Sequence, residues 1–287
     1  LVRVADVVQR AQPELAVACF GKAQRRVILA RNAAHAAFIP ALAGDYHFIV
    51  LLHFMGDLLF AVVTADPGCG KSTLIRMFGE RLPKDKYMLL YLSDSKLTPR
   101  WLYAGLLDQM GLEARFYRGD SKRQLQKEIE NVRTVQKKKV IFVLDEAHLL
   151  GKETLEEFRF LLNYKFDSSS PMSLILVGQT ELWEQKLRLH SYAAIRQRID
   201  MNIVLNRLDR AETGKYIAAH MAYAGVKQDL FTSGAEDEIF KVSSGIPRMI
   251  NRICEKTLMY AYQQQKRLID EHMVRFVADH EMVGGID

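Results

Sequence analysis

Ala65-Asp66-Pro67-Gly68-Cys69-Gly70-Lys71-Ser72, followed by Thr73, is the stretch on which the fold turns. It follows the apolar run Leu58–Thr64 and precedes a helical pattern that opens Thr73-Leu74-Ile75. The glycines let successive backbone N–H groups wrap phosphates at a helix N-terminus, where the helix dipole favours anions. Lys71 is then placed to reach the β- and γ-phosphates, and Ser72 to offer its hydroxyl to Mg²⁺. Residues 66–73 are thus the predicted nucleotide loop, a Walker A pattern with Ala65 in place of the usual first glycine. The strand before it and the helix after it are what separate such a loop from a chance glycine-rich turn.

The other half of a nucleotide site stands further along the chain. Val140-Ile141-Phe142-Val143-Leu144 runs straight into Asp145-Glu146, an apolar strand ending in paired carboxylates. In this Walker B reading Asp145 holds Mg²⁺ through water, and Glu146 orients the attacking water as general base. Together the two motifs predict ATP binding and hydrolysis. A small-molecule kinase is disfavoured, since it needs no glutamate poised for water.

Short apolar runs at Leu58–Thr64, Tyr87–Leu92, Val140–Leu144, Leu174–Val177 and Met201–Leu205 alternate with amphipathic segments, which predicts a parallel α/β sheet. Thr98-Pro99 reads as a helix start, with a hydroxyl cap and a proline whose missing N–H costs nothing there. Leu125, Ile129 and Val132 form one helical stripe, and Leu155, Phe158, Leu162 and Phe166 another; both read as core packing. After Leu205 the strands stop. Asp209 and Glu212 have capping-box spacing, Gly225 is placed to end that helix, and Ala235–Val242, Arg248–Gln264 and Glu271–His280 continue the helical pattern. The predicted organisation is an atypical segment over 1–57, a nucleotide-binding α/β domain over 58–207 and a small all-helical domain over 208–287. Ser168-Ser169-Ser170-Pro171 is the clearest loop.

Composition narrows the class. In 287 residues, 49% are hydrophobic and 26% charged, a balance that excludes a largely disordered, collagen-like or rod-shaped chain. The net charge of +6 permits a polyanionic partner without demanding one. Three widely spaced cysteines, Cys19, Cys69 and Cys254, build neither a disulfide framework nor a four-ligand zinc site, so reduced thiols in a cytoplasm are expected. The most apolar stretch, Phe48–Thr64, is broken by His53, Gly56 and Asp57 and falls short of a transmembrane helix. No signal peptide is legible, and the opening Leu1 suggests a fragment or a start other than Met. The expectation is a cytoplasmic protein with no membrane association.

Two further positions fit an ATPase that works as an oligomer. Gln179 ends the fourth run, where it reads either as a contact to the γ-phosphate or its water, or as an ordinary strand-end amide. Arg196 and Arg198 precede the fifth run and read either as an arginine finger reaching a neighbouring subunit, or as a solvated basic face.

The segments Asp66–Ser72, Val143–Leu150 (VLDEAHLL), Leu176–Thr180 (LVGQT), Ile195–Ile199 (IRQRI) and Ser244–Cys254 (SGIPRMINRIC) resemble the ExeA-type branch of the AAA+ ATPases. That branch includes ATPases encoded beside DDE transposases and related to the TniB, IstB and TnsC regulators. The resemblance spans about residues 60–282. It implies a P-loop NTPase fold: a five-stranded parallel sheet, ordered 5-1-4-3-2, in an αβα sandwich followed by a small helical lid. It also makes Gln179 sensor 1, Arg198 or Arg196 the finger, and Arg248 in Gly245-Ile246-Pro247-Arg248 sensor 2. Residues 1–57 depart from the family pattern, showing no aromatic-Gly…Asn-Pro-Phe arm, so adenine contacts are not assigned. Asp145-Glu146-Ala147-His148 also spells a helicase box, but such a helicase needs a second RecA-like domain, for which the remaining chain leaves no room.

The leading expectation is therefore an oligomeric, DNA-associated regulator of transposition, using ATP and Mg²⁺, forming a ring or filament and recruiting or activating a DDE transposase. Between Arg118 and Lys139 eight basic residues stand against three acids, either a phosphate track that reads no sequence or a solvated helix face. No aromatic residue is interleaved there, so base stacking is not expected. The alternative is a scaffold ATPase that assembles secretion machinery; such proteins carry a transmembrane span and a cell-wall-binding region after the ATPase, whereas this chain ends at Asp287. A third reading is a nucleotide-gated binding module without turnover.

Overall fold

In a computed structural model of the chain, residues 60–93, 97–162, 172–226 and 228–281 are described. The 1–57 segment, Cys19, Phe166 and the Ser168–Pro171 loop lie outside them. The described residues pack as two compact units. One holds 60–67 and 74–205; the other holds 206–281 together with Gly68–Thr73.

The first unit is built on strands β1 (Phe60–Ala65), β2 (Tyr87–Ser93), β3 (Lys139–Asp145), β4 (Met172–Gly178) and β5 (Met201–Leu205). All pairings are parallel, in the order β2-β3-β4-β1-β5, the predicted order read from the other edge. Burial explains why the sequence reads as continuous apolar runs. Every residue of β1 and β4 is buried, as is all of β3 after Lys139, because these three strands are covered on both faces. The edge strands differ: β5 alternates between inside and outside, and β2 keeps only Leu90 fully buried.

Helices α1 (Lys71–Arg81), α2 (Pro99–Gln109), α3 (Arg118–Thr134) and α4 (Lys152–Leu162) follow the strands, and a short α5 (Ala193–Arg196) leads into β5. Leu102 and Leu106 of α2, Leu125, Ile129 and Val132 of α3, and Leu155 and Phe158 of α4 pack into one core with Phe142, Leu144 and Leu174. The Phe142 and Phe158 rings sit 5.9 Å apart. At α2 the expected hydroxyl cap is absent: exposed Thr98 makes no side-chain capping bond, and Pro99 alone sets the start.

The second unit consists of α6 (Arg210–Tyr223), α7 (Ser233–Ser243), α8 (Pro247–Gln263) and α9 (Glu271–Glu281) around a core of Tyr216, Ile239, Ile250, Cys254, Leu258 and Val274, among others. The Asp209–Glu212 capping box is present, and Gly225, at φ 81°, ends α6. Between α7 and α8 the chain turns through two left-handed residues, Ser244 (φ 50°) and Gly245 (φ 72°). Gly245 accepts the Leu208 N–H through its carbonyl at 2.9 Å, and a Cβ on it would lie 1.9 Å from the Leu208 carbonyl oxygen. Gly245→Ala combines backbone strain with a clash against backbone. It is expected to destabilise this unit by about 3 kcal/mol, well past the ~1 kcal/mol of a typical substitution; a thermal melt of the variant checks it.

Candidate functional site

Because all five strands run parallel, the segments that follow them leave from the same edge of the sheet, where open α/β sheets bind ligands. The register sets Ser93 opposite Asp145, and Thr64 opposite Gly178. Asp145 is buried, and each of its carboxylate oxygens holds a donor. Oδ1 accepts the Glu146 N–H at 2.8 Å and Oδ2 the Tyr91 hydroxyl at 2.9 Å. Burial first, and then the charge of Asp145, pushes the Tyr91 phenol up to about 12, so it stays a hydrogen-bond donor. The aspartate is thereby fixed in orientation.

Glu146 takes the left-handed conformation (φ 55°), unusual for a side chain of its size, and this turns the chain sharply into the 3₁₀ turn Ala147–Leu149. The two neighbouring acids therefore have different environments: Asp145 is buried, whereas the Glu146 side chain is 40% exposed. Glu146 Oε2 lies 3.4 Å from Nδ1 of buried His148. The same Nδ1 lies 3.4 Å from the Gln179 backbone nitrogen, at the end of β4. Glycine at 178 eases this approach, since a Cβ there would come within 3.1 Å of the His148 backbone nitrogen and 2.9 Å of Leu182 Cδ2. Lys186, in the π-helical turn Leu182–Leu187, donates to the carbonyls of His148 and Leu150, and burial lowers its pKa. Thr180 donates its hydroxyl to Asp66 Oδ1 at 3.0 Å, tying the end of β4 to the start of the loop after β1.

Within the other unit, Gly68 (φ 86°) and Gly70 (φ 100°) carry the loop through conformations that a side chain resists. Lys71 is nearly buried and opens α1, followed by Ser72 and Thr73. The Arg248 N–H donates to the Gly68 carbonyl at 3.3 Å. A Cβ on Gly68 would lie 2.9 Å from Arg248 Cβ and 3.1 Å from Ile246 Cγ2, so this glycine serves close approach as well as conformation. The predicted sensor arginine and the predicted phosphate loop thus meet through backbone.

A family model described as an AAA domain matches residues 57–185. That stretch, just under half of the chain, is similar to an AAA domain. The chain is 30% identical over 207 residues to General secretion pathway protein A of Aeromonas hydrophila, a match covering 71% of this chain and 37% of that protein. The chain thus spans about a third of the length of that relative. Two solved structures share the fold. Cdc6p from Pyrobaculum aerophilum superposes with TM-score 0.62 at 16% identity, covering 86% of this chain and 69% of that one. Drosophila ORC bound to DNA superposes with TM-score 0.61 at 15% identity, covering 84% and 60%.

The chemistry of the site's residues fits nucleotide and Mg²⁺. A glycine loop opening a helix offers N–H groups to phosphates, and the buried Asp145 supplies the hard oxygen donor that Mg²⁺ takes. Among the described residues no group of three or more His, Cys, Asp or Glu forms a metal cluster, and none is needed where phosphates complete the shell. Cys254 is fully buried, its thiol pushed up chiefly by burial, and Cys69 is buried too; neither of these two is in a disulfide. No helix among the described residues is long and apolar enough to cross a membrane.

The first unit treats its basic residues unequally. Arg196 donates to the carbonyls of Leu187 (3.1 Å) and Arg188 (2.5 Å), so its guanidinium braces the preceding turn. On α3, Arg118 and Lys122 face buried Glu157 at 3.4 and 3.1 Å, and Lys122 lies 4.4 Å over the Phe160 ring. Burial works against the Glu157 charge, but hydrogen bonds from Tyr103 and Lys122, with the charges of Lys122 and Arg118, outweigh it and hold the carboxyl below the usual range. Arg123 and Lys127, by contrast, line an open pocket with Arg115, Asp120 and Gln124. Directly before α3, Phe116 and Tyr117 are 74% and 70% exposed, with Arg100 5.2 Å over the Phe116 ring. Aromatic residues thus border the basic face, and their signal in the sequence is the adjacent Phe116-Tyr117 of the connecting segment.

Proposed function

We propose that the chain binds and hydrolyses ATP at the carboxyl edge of its sheet and assembles with ATP into a ring or filament. The observation that carries this reading is the Asp145-Glu146 turn: a buried carboxylate held by two donors, then a partly exposed one turned away by a left-handed residue. Lys71 and the loop 66–73 hold the phosphates, and Glu146 takes the proton from the attacking water. Ser72 and Asp145 would hold Mg²⁺, which when bound neutralises charge on the phosphates. Gln179 and Arg248 act as γ-phosphate sensors, and Arg198 as the finger supplied to a neighbour. Residues 58–207 form the nucleotide domain and 208–287 its lid.

For the wider role, the proposal is a cytoplasmic, DNA-associated regulator that recruits or activates a DDE transposase. The motif resemblance supports it, as does the basic pocket of Arg115, Arg123 and Lys127 beside exposed aromatic rings. A second reading, a scaffold ATPase for secretion machinery, is favoured by the relative in the general secretion pathway. That relative is longer than this chain, so the end at Asp287 does not separate the readings.

DNA binding separates them. With ATP present, duplex DNA should be retained without sequence preference, log K falling with log salt by about 0.9 per phosphate contact. Arg123→Glu with Lys127→Glu should weaken binding to all sequences alike, whereas Lys122→Glu should chiefly lower the melting temperature, because it sets like charge against Glu157. Salt-insensitive binding, or none with ATP, favours the secretion reading. Absence of Mg²⁺-dependent phosphate release from the pure protein would remove the ATPase proposal altogether.

A further inference from the structure

His148 is buried and plays no part in the proposed hydrolysis, yet it sits between two groups that do. Its Nδ1 is 3.4 Å from Glu146 Oε2 and 3.4 Å from the Gln179 backbone nitrogen. One ring nitrogen serves one of these at a time. With a lone pair at Nδ1 it accepts the Gln179 N–H; with a proton there, it donates to the Glu146 carboxylate. The backbone on both sides is held rigidly. A Cβ at Gly178 would lie 3.1 Å from the His148 backbone nitrogen, and Lys186 donates to the carbonyls of His148 and Leu150. The ring is then the adjustable link between the end of β4 and the half-exposed side chain of Glu146. We infer that His148 is a positioning residue for hydrolysis: its Nδ1 either holds the Glu146 carboxylate or accepts the Gln179 N–H, so that a shift of the Gln179 backbone resets the base. This rests on the reading of Glu146 as the general base.

The test contrasts His148→Asn with His148→Gln in the full chain. Asparagine places its amide near the position of Nδ1 and can accept or donate there; glutamine places its amide one atom further out, near Nε2. Both keep a polar group in the turn. The readouts are kcat and KM for ATP from phosphate release, and affinity for a fluorescent ATP analogue. The expected result is kcat within about threefold of wild type for the asparagine variant and at least about tenfold lower for the glutamine variant, with KM and analogue affinity unchanged in both. Equal kcat in the two variants, or losses appearing in affinity rather than in kcat, would overturn the inference. Glu146→Gln runs alongside. If it turns over normally, the general-base reading itself fails; if it is inactive while both His148 variants match wild type, only the role of His148 fails.

Discussion

Replacing Lys71 with alanine is expected to abolish ATP turnover, and replacing Glu146 with glutamine to stop it at a different step. Lys71 opens α1 at the end of the glycine loop and is buried, and the phosphate-loop reading puts its ammonium on the β- and γ-phosphates. Removing such a preorganised donor costs on the order of 10²–10³ in rate, and here it also weakens binding of the β- and γ-phosphates. Glu146→Gln keeps shape and hydrogen bonding but loses the proton acceptor, which is worth about 10²–10⁴. The two variants should therefore separate in a binding assay. The glutamine variant retains ATP and accumulates as the ATP-bound assembly, while the alanine variant does neither. Wild-type phosphate release from the alanine variant would dismiss the phosphate-loop assignment; from the glutamine variant, only the base assignment.

What the sequence made legible follows from range. The phosphate loop and the Asp145-Glu146 pair are local patterns, each read within a few residues. The buried strands announced themselves because a strand covered on both faces must be apolar throughout, as in β1 and β3. Where a buried strand holds a polar residue the reading fell short: β4 extends back to Met172 through buried Ser173, which hydropathy cannot flag. Contacts set by register were out of reach. Tyr91 meets Asp145 across 54 positions only because β2 pairs in parallel with β3. His148 was visible as a letter in a motif, but its setting depends on Gly178 arriving from β4. The basic run from Arg118 reads in sequence as either a phosphate track or a solvated helix face, with nothing local to divide it. Glu157, one position before the stripe residue Phe158, divides it by drawing Arg118 and Lys122 inward.

The arginines before β5 decide whether hydrolysis belongs to one subunit or to an assembly. Arg196 already donates to two backbone carbonyls, so its loss should disturb the Leu182–Leu187 turn more than it disturbs a neighbour's nucleotide. Two residues on, Arg198 lies just past the end of α5, and positions two apart on a helical turn do not share a face. Arg198→Ala is expected to bind ATP as wild type does and to lose hydrolysis by about 10³–10⁵, the usual worth of a finger supplied in trans. Mixing it in equal amounts with Glu146→Gln should bring activity back to about a quarter of the wild-type level. A working site then needs an intact Glu146 in one subunit and an intact Arg198 in the next, each present in half the chains, as trans action requires. Arg248→Ala mixed with Glu146→Gln should show no recovery, because the Arg248 N–H binds Gly68 in its own chain and every site then carries one of the two defects. Normal activity of Arg198→Ala at every protein concentration, with Arg196→Ala also normal, would exclude a finger in this segment. Each subunit would then hydrolyse ATP alone.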